Sequence, residues 1–208
     1  MSDLQAAPLV DRDRLRRPAA EVAPDLLGLL LVTDDVVVRI VETEAYDEHD
    51  PASHTHRGRT DRNATMYADA GHLYVYRSYG VHHCGNVVAG GAGEGMGCLV
   101  RSVEVVAGLD VARDRRAGRD ATPRDLSGGP GKVGQVLDLD HRVDDGLDLL
   151  DSTSRVTLRT DGHVVDTVTT GPRVGVTDAP DVAWRFWVAD HPAVSRYTRS
   201  PRAAPPAR

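Results

Sequence analysis

The run VVVRIVETEAY at residues 36–46 constrains this chain more than any other stretch. Its density of β-branched residues favours an extended strand. Side chains alternate across such a strand, which puts Glu42, Glu44 and Tyr46 on the side that carries Val36, Val38 and Ile40. An apolar stripe thus ends in two carboxylates and a phenol. Either the strand opens into solvent there, where glutamates are harmless, or a carboxylate stands at the edge of a pocket beside an aromatic face. From this strand alone the first reading is favoured, because glutamate is seldom buried without a partner.

The flanking segments build a mixed architecture. LLLV at 29–32, a turn at Asp34-Asp35 and the 36–46 run read as an antiparallel pair. Residues 19–30 predict a helix with Leu26, Leu27, Leu29 and Leu30 on its apolar face and Pro24 in its first turn or breaking it. Residues 50–71 are polar and aperiodic, and an aromatic strand at 72–80 and an apolar one at 86–88 follow. AGGAGEGMG at 89–97 is a loop, 98–106 a strand, and 108–118 a short charged helix with a glycine stop. A helix opens in GGPGKVGQVLDL with Pro130 in its first turn, and further strands are expected at 155–160, 164–170 and 184–189. Residues 1–18 read as a flexible arm, 198–208 as a disordered Pro/Arg-rich tail, and 19–197 as one domain.

With 40% apolar and 27% charged residues the chain has the balance of a globular protein. No apolar run approaches the roughly 20 residues that cross a bilayer. The N-terminal stretch lacks a basic cluster followed by an apolar segment, so a cytoplasmic protein is expected. Cys84 and Cys98 are too few for a disulfide framework and read as buried thiols. The net charge of −6 argues against a coat of basic surface for nucleic acid, so any such site must be local. One stretch qualifies: between Ala52 and Tyr79, Arg57, Arg59, Arg62 and Arg77 are opposed only by Asp61 and Asp69.

Several motifs fail on inspection. AGGAGEGMG lacks the helix opening of a dinucleotide fingerprint, and LSGGPGKV lacks the first glycine and the Ser/Thr of a P-loop. The helix-starting amides and Lys132 of that segment remain able to hold a phosphate. His54/His56 and His82-His83 have no matching carboxylate and cysteine set, so packing or surface hydrogen bonding is expected and no metal or other cofactor is called for.

IVETEAY at 40–46, PASH at 51–54, GRTDRNATM at 58–66, GHLYVYRSYG at 71–80, SGGPGK at 127–132 and HPAVSR at 191–196 occur together in this order. In that combination the chain resembles the alkyladenine (3-methyladenine) DNA glycosylases from about residue 26 to 196. The resemblance implies an α+β fold: one compact domain with a curved, mainly antiparallel sheet, surrounding helices and a protruding β-hairpin. It implies a monomer that acts on double-stranded DNA containing damaged purines, in the cytoplasm and nucleoid-associated. Glu44 matches the general base, Tyr46 and Tyr76 the rings that stack on an extruded base, His54 and Asn86 the pocket residues at its edge, and Tyr79 the intercalating wedge. Arg101 matches a basic residue near the carboxylate and the DNA backbone, and Lys132 a residue of a DNA-contacting loop. Arg57 and Arg59 belong to the local basic stretch and are further candidate DNA contacts. His83 and Gly85 depart from the family's larger side chains.

These assignments are physically coherent. A stacked base must be extruded at a cost of a few kcal/mol, part of which a wedge recovers. Cationic alkylpurines gain from ring quadrupoles as well as from stacking. Departure of the base leaves oxocarbenium-like charge, which a carboxylate stabilises while accepting a proton from water. A lyase would need an amine, and Lys132 is the only lysine. A silent binder of damaged nucleic acid, or a hydrolase of free nucleosides, are the competing readings. Register adds a constraint. Tyr76 and Asn86 line one pocket only if the loop at Tyr79-Gly80 is odd-numbered or bulged, pairing Tyr76 with Cys84 and Tyr74 with Asn86.

Overall fold

The computed structural model describes residues 2–116 and 122–205. After a short helix α1 (Ser2–Gln5) and helix α2 (Ala19–Asp25), the sheet begins with β1 (Leu30–Val32) and β2 (Val37–Tyr46). The aromatic pair β3 (Leu73–Ser78) and β4 (His82–Val88) is followed by β5 (Gly97–Ala107). Three helices, α3 (Leu109–Arg115), α4 (Pro123–Ser127) and α5 (Pro130–Val136), precede β6 (Thr157–Arg159), β7 (Val168–Gly171) and β8 (Arg185–Val188). The glycine stop expected at Gly118 lies outside the described residues.

All strands belong to one antiparallel sheet, in the order β3-β4-β5-β2-β1-β6, with β8 added on β2 and β7 on β8. β2 is central. One edge pairs with β5 along its length, while the other is shared by β1, which takes Val37–Arg39, and β8, which takes Glu42–Glu44. Every residue of β2 except Arg39 and Tyr46 is buried, and the solvent-open strand end favoured from sequence does not occur. Register shifts at Ile40/Glu42 and Glu42/Thr43 interrupt the simple alternation, as bulges do beside functional sites.

The apolar core joins α2 (Val22, Ala23), the central strands (Val38, Ile40, Val100, Val103) and α5 (Val133, Val136). Pro24 is accommodated inside α2, which stops at Asp25 instead of continuing to residue 30. α5 starts as expected, with Pro130 in its first turn. It lies so close to β4 that a Cβ on Gly134 would stand 1.9 Å from the His83 carbonyl oxygen. The N-terminal segment expected as a flexible arm makes specific contacts: Leu15 and Val10 are buried, the Val10 amide donates to Leu158, and Arg12 pairs with Asp148 at 2.6 Å. Likewise the first residues of the Pro/Arg-rich tail touch the domain through Arg199, paired with Asp181 at 2.6 Å.

Candidate active site

The β3–β4 turn has three residues, and the register is Tyr76 opposite Cys84 and Tyr74 opposite Asn86, as the shared-pocket argument requires. Tyr79 (φ 49) and Gly80 (φ 72) both adopt the left-handed conformation, and the Val81 amide donates to the Ser78 carbonyl at 3.1 Å. A tyrosine in that conformation is strained. It stands 96% exposed at the turn.

Below the turn, Tyr46, Ala52, His54, Met66, Tyr74, Tyr76, Asn86 and Leu99 line a narrow, open cavity. Tyr46, His54, Tyr76 and Asn86 were singled out from sequence, and they converge here. Tyr74 was not, although its position two residues before Tyr76 on one strand places both rings on the same face. The Tyr74 and Tyr76 rings stack at 5.7 Å, His54 meets Tyr76 edge-on at 4.6 Å, and His54 Nδ1 lies 3.1 Å from the Tyr74 hydroxyl. The loop carrying His54 is held from behind. Asn63 donates to the His54 carbonyl at 2.8 Å, and the Thr55 hydroxyl donates to Gly95 at 2.8 Å.

The two glutamates differ in how fully they are occupied. Both are inaccessible to solvent. Glu42 accepts from Arg101 Nε (3.0 Å), Arg185 Nε (2.7 Å), the Ser102 hydroxyl (2.5 Å), and the amide and hydroxyl of Ser195 (2.8 Å each). An ionised carboxylate offers about four acceptor positions, so Glu42 is saturated. Glu44 accepts from the Tyr46 hydroxyl (2.9 Å) and Arg101 Nη1 (3.2 Å) on one oxygen, and from the Val174 amide (2.6 Å) on the other. Three donors therefore meet Glu44, where five meet Glu42. Glu44 does not line the cavity itself but lies behind two residues that do, bonded to Tyr46 and paired in register with Leu99.

Charge is tightly organised around this pair. Burial opposes ionisation of Glu42, but Arg101 and Arg185 outweigh it and lower its pKa. Burial would lower the pKa of Arg101, yet Glu44 and Glu42 raise it above the ordinary guanidinium value. Burial and then the charge of Glu44 raise the Tyr46 pKa, so the phenol stays neutral and donates. Burial pushes Tyr74 up to about 12. Although His54 lies at the surface, packing around its ring and then Arg62 lower its pKa, which keeps it neutral at pH 7. Behind Tyr46, the buried Arg173 guanidinium sits 4.6 Å from the ring centroid and pairs with Asp50. Sequence reasoning gave no signal for Arg173, Val174 or Arg185 and no role for Ser195 within HPAVSR, because only the return of β8 and its flanks to β2 brings them there.

The remaining candidates lie outside the cavity. Arg57 and Arg59 are exposed on the loop before the Asp61–Tyr67 turn. The Lys132 ammonium, in α5, donates to the Arg124 carbonyl at 3.0 Å. Arg101 is buried and turned toward the glutamates and Ser195, which makes it a partner of the carboxylates and leaves it no free face for the DNA backbone.

A buried strand carboxylate with three donors thus lies behind an aromatic cavity. Comparison with known proteins places it more closely. The family model for methylpurine-DNA glycosylase (MPG) matches residues 13–192. Relatives provisionally named 3-methyladenine DNA glycosylase include one from Rhodococcus jostii, 45% identical over 92% of this chain and 87% of the relative. A Nocardia farcinica relative is 47% identical over 86% of each chain, and one from Corynebacterium glutamicum is 43% identical over 86% of this chain and 83% of its own. The chain belongs to the methylpurine-DNA glycosylase family.

Proposed function

We propose that this protein is a monofunctional DNA glycosylase that rotates damaged purines out of duplex DNA and hydrolyses their N-glycosidic bonds with a Glu44-activated water, leaving an abasic site. Alkyladenines and hypoxanthine are the expected substrates, with ethenoadenine a further candidate. The observation that carries this reading is the contrast between Glu42, met by five donors, and Glu44, met by three and lying directly behind the aromatic cavity.

In this reading Tyr79 fills the gap left in the duplex, which suits an aromatic ring exposed on a tight turn. The extruded base enters the cavity against Tyr46 and Tyr76, where a neutral His54 favours a cationic purine over a protonated imidazole's repulsion. Asn86 discriminates at the base edge. A water admitted beside Glu44 when the DNA is engaged gives its oxygen to the anomeric carbon and its proton to the carboxylate, and the electron pair of the broken C–N bond leaves with the base. Arg101 and the Val174 amide hold Glu44 in place. Arg57, Arg59 and Lys132 are the proposed phosphate contacts. The amine of Lys132 is occupied at the Arg124 carbonyl, away from the cavity, which is consistent with hydrolysis without strand cleavage.

Single-turnover excision from duplexes carrying each lesion tests this. Glu44→Gln should lower the rate about 10²- to 10⁴-fold while lesion binding persists. Excision by Glu44→Gln at the parent rate would overturn the general-base role, and a borohydride-trapped adduct would overturn the hydrolytic one. Equal activity on free nucleosides would favour the nucleoside hydrolase.

A further inference from the structure

The other histidine-bearing segment, His82-His83, carried no metal signal in the sequence because its neighbours in space are far away in the chain. In the structure His83, on β4 just past the Tyr79 turn, meets His141 across a sequence separation of 58. His83 Nε2 lies 3.2 Å from His141 Nδ1, and the Asp140 carboxylate Oδ1 lies 3.4 Å from the same His141 nitrogen. The three donor atoms all fall within 4.8 Å of one another. All three residues are partly buried.

From these distances we infer that His83, Asp140 and His141 form a binding site for a divalent transition ion of the zinc type. Ligand atoms at zinc bond lengths in a tetrahedron stand about 3.3–3.5 Å apart, and the two measured edges, 3.2 and 3.4 Å, lie within about 0.1 Å of that range. Two imidazoles and one carboxylate are the ligand types that select zinc-like ions over magnesium or calcium, which prefer all-oxygen shells. The orientation of His83 supplies a second argument. Its Nδ1 donates to the Leu139 carbonyl at 2.5 Å, which leaves Nε2 as a bare lone pair aimed at the other two ligands. Metal-bound histidines are oriented by this kind of backbone hydrogen bond.

The ligands face an open surface hollow lined also by Arg77, Val81 and Arg142, so a water has room to complete the shell. Arg77 and Arg142 oppose a cation electrostatically. The amide of Arg142 also donates to Asp140 Oδ1 at 2.9 Å, which fixes that oxygen in position. The bound ion would tie β4, next to the Tyr79 turn, to the segment after α5, and so stiffen the base of the hairpin. This site is separate from the cavity and does not depend on the proposed glycosylase reaction.

The test uses the full-length untagged protein, titrated with Co²⁺ and Zn²⁺ and compared with His83→Ala, His141→Ala, Asp140→Asn and a His82→Ala control. A single equivalent of Co²⁺ should bind with the d–d absorption of a tetrahedral site and be displaced by Zn²⁺. Affinity should fall at least about tenfold in each ligand variant and stay unchanged in His82→Ala. Zn²⁺ should raise the melting temperature of the parent and raise that of Asp140→Asn distinctly less, a comparison that holds even if a histidine variant folds poorly. Absence of saturable binding would overturn the inference, as would affinity undiminished in the ligand variants or an equal Zn²⁺ shift in Asp140→Asn.

Discussion

Glu42 and Glu44 are the same residue type two positions apart, and their hydrogen-bond surroundings differ because their neighbours do. Five donors converge on Glu42, from β5, β8 and the Ser195 segment, and make it the structural anchor for Arg101. Because Arg101 and Arg185 lower its folded-state pKa below the unfolded value of about 4.5, its contribution to stability is fully present above that pH. It is lost as the pH falls through the lowered folded value. Chemical unfolding measured from pH 7 to pH 3 should therefore show stability declining below about pH 4.5, and Glu42→Gln, whatever its own stability, should show a shallower decline. An unchanged acid profile in that variant would mean that other carboxylates set it.

Among the elements, β4 carries the most constraints. It supplies Asn86 to the cavity and His83 to the cluster beside the turn, pairs with β3 and β5, and receives α5 against its backbone. Gly134 is the contact point. In an open helix a Gly→Ala change would add up to about 1 kcal/mol from helix propensity. Here the new Cβ would lie 1.9 Å from the His83 oxygen, and overpacking of that kind costs about 1–3 kcal/mol or more. The clash wins, so Gly134→Ala should lower stability by about 2 kcal/mol, read from urea midpoints. A stabilised variant would show that α5 can shift without disturbing β4. The hairpin register was readable in advance because two pocket residues had to share a face. The positions of β6, β7 and β8 along the sheet were not, since short strands with few residues in each ladder carry no signal of their partner.

For the molecule as a whole, a net charge of −6 means that DNA affinity must come from a few placed cations. Arg57 and Arg59 are exposed while Arg101 is buried among carboxylates. If the two exposed arginines each contact a phosphate, replacing both with alanine should flatten the dependence of log affinity on log salt by about 1.8, at roughly 0.9 per contact. Fluorescence anisotropy at several salt concentrations measures this, and an unchanged slope would remove both from the interface. Family-level likeness over residues 13–192 and identities of 43–47% agree with the motif order in the chain.

The order of motifs determined the family resemblance, the strand that carries the carboxylates and the register of the aromatic hairpin, because those signals are local and periodic. Only the tertiary structure decided which glutamate is met by five donors and which by three. It also decided that Arg101 turns inward, that Arg173 lies behind Tyr46, and that His83 meets Asp140 and His141. Each of these depends on contacts between segments distant in sequence, where burial and hydrogen-bond partners follow from the closing of the sheet and not from any residue's own neighbours.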